Sequence, residues 1–214
     1  FTDEMLSHHD NMSLDGMNVA ISGSGNVAQF AAEKVLDLGG KVLTLSDSGG
    51  TIYDKDGIAR EKLEFIMELK NVKRGRIKEY AETFKAEYLE GHNPWSVECD
   101  IALPCATQNE LNIQDAQNLI NNGCKCVAEG ANMPTTYDAT ELLIDNGVLF
   151  GPGKAANAGG VSVSGLEMSQ NSNRINWSRE EVDSKLKGIM KSIHNQCVTH
   201  GSDVGKITNY VTGA

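Results

Sequence analysis

Residues 17–28, MNVAISGSGNVA, pass from a short apolar run through two closely spaced glycines into a stretch with helical periodicity. Few local patterns restrict a chain more. The apolar run reads as a buried strand, and residues 26–38 read as a helix with Val27, Phe30, Ala31, Val35 and Leu38 along one stripe. Gly39 and Gly40 end that helix, and residues 41–46 (KVLTLS) form a second strand closed by DSGG at 47–50. Strand, glycine turn, helix and strand within about 30 residues make a right-handed parallel unit.

The pattern continues. A helix is expected over residues 58–70 after the DKDG turn, and a charged helix over 75–84. A third strand covers 100–103, a helix 113–121, a fourth strand 125–128, a helix 136–145 and a fifth strand 148–150. Such alternation predicts an α/β domain with a doubly wound parallel sheet of the Rossmann type, helices on both faces. Beyond residue 158 the character changes. Residues 158–170 are rich in Gly, Ser and small apolar residues, and Ser178-Arg-Glu-Glu181 is a capping box. It opens a long helix with Val182, Leu186, Ile189, Ile193 and Cys197 in register, within a C-terminal helical segment at 158–214.

Gly23-Ser24-Gly25-Asn26-Val27-Ala28 fits G-x-G-x-x-A. Gly23 permits a tight turn, Gly25 lets a pyrophosphate approach the backbone, and Ala28 is small enough for close packing of helix on strand. The helix N-terminus offers free N–H groups and partial positive charge to the anion. The same six residues could also be only a tight turn. Asp47 ends the next strand 22 residues after Gly25, where an acid accepts from an adenine-ribose diol and favours NAD. Lys70, Lys73, Arg74 and Arg76 follow, and a 2′-phosphate would need such cations. They read equally as a solvated helix end.

Three loops, PCATQN at 104–109, EGANMP at 129–134 and GPGKAAN at 151–157, each follow a strand and converge on one sheet edge. Together with GSGNVA (23–28), the stretches SDSGG (46–50), ALPCATQNEL (102–111), AEGANMPTT (128–136), PGKAANAGGVSVSGLEMSQN (152–171) and NYVTGA (209–214) resemble the cofactor-binding domain of glutamate dehydrogenases of the hexameric bacterial type. Leucine and phenylalanine dehydrogenases share the glycine turn and fold, but are not expected to carry ATQNEL and SGLEMSQN together.

The resemblance implies interconversion of L-glutamate with 2-oxoglutarate and ammonia, in amino-acid metabolism and nitrogen assimilation. It implies NADP as the preferred cofactor, with NAD possible. Gly23, Ser24, Gly25, Asn26 and Val27 would wrap the pyrophosphate, and Asp47 and Ser48 would sit at the adenine ribose. Lys70, with Lys73 and Arg76 close by, would serve the 2′-phosphate. Ala106 and Thr107 would line the ribose side, Asn132 and Asn157 would reach the nicotinamide, and Ser164 would contact the substrate γ-carboxylate. It also implies that residues 1–214 are one dinucleotide-binding domain, that 1–16 is the remnant of an interdomain helix, and that 158–214 packs toward a substrate domain upstream of Phe1. That absent domain would hold the catalytic groups, leaving none here, and would assemble the whole protein as a homohexamer. Another amino-acid dehydrogenase of the same fold, a non-catalytic nucleotide-sensing module, and a methyltransferase binding adenosylmethionine are the rival readings.

Charge and cysteines bear on partners. Nineteen basic against 29 acidic residues give a net charge of −10, which repels nucleic acid and anionic membranes. There is no apolar run of about 18 residues and no basic-then-apolar leader. Cys99, Cys105, Cys124, Cys126 and Cys197 match no common zinc spacing, so no metal is expected, and they read as buried free thiols in a reducing cytoplasm.

Overall fold

A computed structural model describes residues 1–202 and 207–214. In chain order the elements are α1 (Thr2–Asp10), β1 (Asn18–Ile21), α2 (Asn26–Asp37), β2 (Lys41–Asp47), β3 (Gly50–Tyr53), α3 (Arg60–Asn71), α4 (Lys78–Phe84), β4 (Glu87–Glu90), β5 (Ile101–Leu103), α5 (Ile113–Asn121), β6 (Cys126–Ala128), α6 (Tyr137–Asp145), β7 (Leu149–Gly151), α7 (Gly153–Ala156), α8 (Gly159–Asn173), α9 (Arg179–Gly201) and α10 (Tyr210–Gly213). A 3-10 turn lies at Pro94–Ser96.

The seven strands form one sheet in the order β4-β3-β2-β1-β5-β6-β7. From β2 to β7 every pairing is parallel, and these five strands are the five expected from the apolar runs. β3 and β4 are additional, and they pair antiparallel at one edge, so the sheet is mixed rather than wholly parallel. β3 turns back from β2 at once, Asp47 pairing with Gly50. β4 reads EYLE, an edge strand whose terminal carboxylates are exposed, and its charge hid it among the helical residues around it.

Side chains alternate between two cores, as the two-residue period of a strand requires. Val19, Ile21, Ile101, Leu103, Cys126 and Ala128 enter one, under α1, α2 and α3. Ala20, Ala102, Val127 and Phe150 enter the other, with Trp95, Leu119 and Leu143 under α5 and α6. Helices therefore cover both faces. α1 buries Met5 and Leu6 completely in the first core. All five cysteines are buried and free.

The phase of α2 differs from expectation. Ala28, Gln29, Ala32 and Val35 are its buried face, whereas Val27 and Phe30 are about half exposed and Leu38 is also exposed. Two alanines let the helix lie close to the sheet, and this turns the larger side chains outward, Val27 and Phe30 toward a cleft. The capping box at Ser178 is present in both directions, Ser178 N–H donating to Glu181 at 2.7 Å and Glu181 N–H to Ser178 Oγ at 3.2 Å. The stripe on α9 is in the expected phase but only half covered until His194 and Cys197, which are buried. α8 buries none of its residues. Within the 158–214 segment, residues 203–206 lie outside the described residues.

Candidate dinucleotide cleft

β1 delivers the chain into the glycine turn at the point where the sheet changes winding direction, with β2 on one side of β1 and β5 on the other. Gly23 has φ +80°, and its N–H donates to Ser46 Oγ at 2.8 Å while Ser46 N–H returns a bond to the Gly23 carbonyl at 2.9 Å. A β-carbon at Gly23 would sit 3.0 Å from the Cys105 carbonyl oxygen, so both conformation and space demand glycine. Gly25 plays another part. It is the N-cap of α2, no side chain caps the helix, and nothing lies within 4 Å of where its β-carbon would be. That open space belongs to a cavity of about 710 Å³ lined by the turn, Asp47, Ser48, Lys70, Ala106 and Thr107. An anionic pyrophosphate fits such a cradle, since uncapped amides and the positive end of α2 border the open space.

At the end of β2 the Asp47 carboxylate is almost enclosed. Oδ1 accepts the Gly49 N–H at 2.8 Å and Oδ2 accepts the Ile77 N–H at 3.0 Å. Lys70 Nζ stands 3.6 Å and Arg76 Nη1 3.8 Å from Oδ2, and Arg76 also donates to Ser48 Oγ at 2.8 Å. Burial pushes the Asp47 carboxyl up, but the two N–H donors and the two cations outweigh it and hold it below the ordinary carboxylate range. In the ion pairs at this point one carboxylate, Asp47, faces two cations, and a second carboxylate, Glu79, accepts the Arg76 backbone N–H at 2.9 Å. Asp47, Ser48, Lys70 and Arg76 are thus brought together. Lys73 is not among them: its ammonium pairs with Glu68 at 3.0 Å.

The loops after β5, β6 and β7 close the other half. Ala106 and Thr107 N–H groups both donate to Glu110 Oε1, at 2.9 and 3.3 Å. Burial raises the Glu110 carboxyl, and these donors offset only part of that. Burial, with Glu110 nearby, pushes the Cys105 thiol up to about 12. A second cavity, of about 960 Å³, shares Asn26, Val27, Cys105 and Ala106 with the first and continues past Phe30 to Asn132, Asn157 and Ser164. Asn157 Nδ2 donates to the Ala131 carbonyl at 3.0 Å. The hydroxyl of Ser164, exposed on α8, donates to the Gly160 carbonyl one turn back at 3.3 Å.

Two carboxylates in these loops, Glu110 and Glu129, were not among the expected site residues. Glu129 follows β6 directly and Glu110 lies seven residues past β5, each in a loop whose backbone N–H groups it accepts, and only that loop position was a signal in the sequence. Which amides they would satisfy is not written locally, since Glu129 reaches 24 residues along the chain to Gly153.

The Glutamate/Leucine/Phenylalanine/Valine dehydrogenase family model matches residues 1–214. A glutamate dehydrogenase of Bacteroides thetaiotaomicron is 61% identical over 201 residues, 94% of this chain and 45% of the relative. The NADP-specific glutamate dehydrogenase of Escherichia coli is 56% identical over 214 residues, 100% of this chain and 47% of the relative. Among solved structures, glutamate dehydrogenase 2 of Plasmodium falciparum superposes with a TM-score of 0.93 at 48% identity, covering 98% of this chain and 46% of its own. The chain spans about half the length of the curated relatives it matches. With the whole of its length matched and the same fold found in a solved relative, the chain belongs to the glutamate/leucine/phenylalanine/valine dehydrogenase family.

Proposed function

We propose that this chain is the dinucleotide-binding half of a glutamate dehydrogenase that prefers NADP to NAD. The whole protein would convert L-glutamate, water and NADP⁺ to 2-oxoglutarate, ammonium, NADPH and a proton, and run the reverse. The observation that carries this reading is the continuity of the two cavities. The two adjoin at Asn26, Val27, Cys105 and Ala106, so their linings run from Asp47, Ser48 and Lys70, past the glycine turn, to Asn157 and Ser164.

In this reading the residues divide the work by position. Gly23, Ser24, Gly25, Asn26 and Val27 hold the pyrophosphate through backbone donors. Lys70, Arg76 and Ser48 take the 2′-phosphate, and Asp47, its oxygens already engaged by protein donors, anchors the cations. Ala106 and Thr107 border the ribose. Asn132 and Asn157 orient the nicotinamide, which when bound supplies the hydride chemistry. Ser164 donates to the γ-carboxylate of glutamate. Lys73, turned to Glu68, has no direct part. Val27 and Phe30 present apolar surface that keeps water from the reacting end.

The proposal extends to a substrate domain upstream of Phe1 that supplies the acid–base group, with residues 1–16 and 158–214 facing it. It further extends to a homohexamer working in cytoplasmic nitrogen assimilation, without nucleic-acid or membrane partners. No helix among the described residues is long and apolar enough to cross a membrane. The test is an assay of the whole protein with L-glutamate, L-leucine, L-phenylalanine and L-valine. Glutamate is expected to be oxidised with a kcat/KM far above the others; preference for a branched or aromatic amino acid would overturn the substrate assignment.

A further inference from the structure

Glu129, the first residue beyond β6, is buried, yet both its carboxylate oxygens are in use. Oε1 accepts the Thr135 N–H at 3.2 Å, closing the 129–135 loop on itself. Oε2 accepts the Gly153 N–H at 2.6 Å, gripping the first residue of α7. α7 is only four residues long, and Asn157 caps its far end, its own N–H bonded to the Gly153 carbonyl at 3.0 Å. Asn157 Nδ2 then returns to the Ala131 carbonyl in the first loop at 3.0 Å. The bonds form a closed circuit: Glu129 to Gly153, along α7 to Asn157, across to Ala131, and back to Glu129. Space is tight inside it, since a β-carbon on Gly153 would stand 3.1 Å from Glu129 Oε2 and 3.3 Å from the Ala131 carbonyl.

We propose that Glu129 is a positioning residue that locks the Asn132 loop to α7, and so fixes Asn132 and Asn157 in one arrangement at the nicotinamide end of the cleft. The proposal rests on the reading of the cleft as an NADP site. A carboxylate suits the task because both donors it meets are backbone N–H groups, and only an ionised carboxylate offers two acceptor oxygens. A glutamine of the same shape accepts with its oxygen but sets an NH₂ donor against the second N–H. One strap is then lost while the packing is kept. Asp47, Ser48, Lys70 and Arg76 at the adenine end lie on other loops, and among the described residues none of them is hydrogen-bonded to this circuit; its link to the first cavity runs through Pro104, whose carbonyl accepts the Gly130 and Ala131 N–H groups at 2.9 Å.

The experiment compares the whole protein with its Glu129→Gln variant. Three quantities are read: amide hydrogen exchange across 129–157 without ligand, affinity for NADPH, and affinity for 2′-phospho-ADP-ribose, which lacks the nicotinamide. The variant is expected to exchange faster at Thr135 or Gly153 and to bind NADPH about tenfold more weakly, the loss of one hydrogen bond. Its affinity for 2′-phospho-ADP-ribose should stay within about twofold. Its kcat for glutamate should fall by on the order of tenfold to a hundredfold, as misplacement of a reacting ring does. Should Glu129→Gln not fold, Glu129→Asp, which keeps the charge but is one methylene too short to reach both donors, is measured in the same way. Unchanged exchange and NADPH affinity, or equal losses for both ligands, would overturn the positioning role. Failure of the unaltered protein to bind either ligand would instead overturn the reading of the cleft, and the proposal with it.

Discussion

Gln29 and Asn71 face each other as paired carboxamides, Asn71 Nδ2 donating to Gln29 Oε1 at 2.9 Å and Gln29 Nε2 to Asn71 Oδ1 at 3.3 Å. The same Gln29 Nε2 donates to the Ser24 carbonyl at 2.8 Å. A side chain on the buried face of α2 thereby ties the glycine turn to the last residue of α3, adjacent to Lys70. The glycine turn and the end of α3 are linked by one polar residue in an otherwise apolar buried helix face, and in the proposed reading this holds the pyrophosphate turn in register with Lys70.

Replacing Gln29 with leucine breaks that tie and leaves the Ser24 carbonyl without its partner. We expect a loss of about 1–3 kcal/mol in stability, the penalty for a buried polar group left unpaired. NADPH affinity should fall more than NADH affinity, because Lys70 loses its register. Denaturant unfolding together with titration of both cofactors checks this, and equal weakening of both would separate Gln29 from cofactor choice.

The two turn glycines should fail in opposite ways. Gly25→Val places its side chain in open space, so thermal stability should stay near that of the parent while dinucleotide binding is lost. Gly23→Ala puts a β-carbon on a residue at φ +80° and 3.0 Å from a backbone oxygen. It should destabilise the fold by about 1–2 kcal/mol or more. Melting curves and calorimetry on both variants distinguish the roles, and the same loss of stability in each would contradict them.

Asp54 supplies a pH dependence. It is buried, with Lys62 Nζ at 2.7 Å and the Tyr80 hydroxyl donating at 2.5 Å. Burial pushes its carboxyl up, but Lys62 and Tyr80 outweigh this and hold it below the ordinary range. A lowered folded-state value means the unfolded chain binds the proton more readily. The stabilisation is therefore fully present above about pH 4–5 and lost as pH falls through the folded value. Asp54→Asn should lower stability at pH 7 by about 1.5–3 kcal/mol and flatten the decline below pH 4. An undiminished acid decline in the variant would assign it to other groups.

Among the described residues the Ser164 hydroxyl holds only a long bond to the turn before it, so it can turn to a ligand. In the whole protein, Ser164→Ala is expected to raise the KM for glutamate by roughly tenfold or more, as loss of a hydrogen bond to a charged group worth about 1.5–3 kcal/mol does. The KM for NADP should change little. Steady-state kinetics with each substrate varied in turn decides it, and matched changes would remove Ser164 from the substrate site.

The periodic parts of the fold could be read from the sequence because apolar runs and glycine punctuation are local. All five parallel strands and the capped α9 were visible in that way. The β3–β4 edge was hidden, since β3 turns straight back from β2 through the DSGG turn and β4 is charged at both ends. The stripe on α2 was misjudged because hydrophobic size suggests Phe30 for the core, whereas close approach to the sheet selects Ala28 and Ala32. At the cleft, spacing pointed to Gly23 and Asp47 and the family resemblance to Lys70, and all three line one cavity. Charge alone does not separate Lys73 from its neighbours; in the structure it pairs with Glu68 while Arg76 pairs with Asp47. Glu129 and Glu110 act on backbone amides, which no residue pattern marks.

Cofactor choice tests the account most directly. Lys70, its side chain one-fifth exposed, sets its ammonium beside Asp47 with Arg76 and Ser48 at the end of β2. The decisive measurement is competition titration of NADPH against NADH on the unaltered protein and on Lys70→Ala. NADPH should bind more tightly than NADH in the first, and fall by about tenfold to a hundredfold in the second, the worth of a charge-assisted bond to phosphate. NADH affinity should hardly move. NADH binding as tight as NADPH in the unaltered protein, or equal weakening of both in the variant, would contradict it.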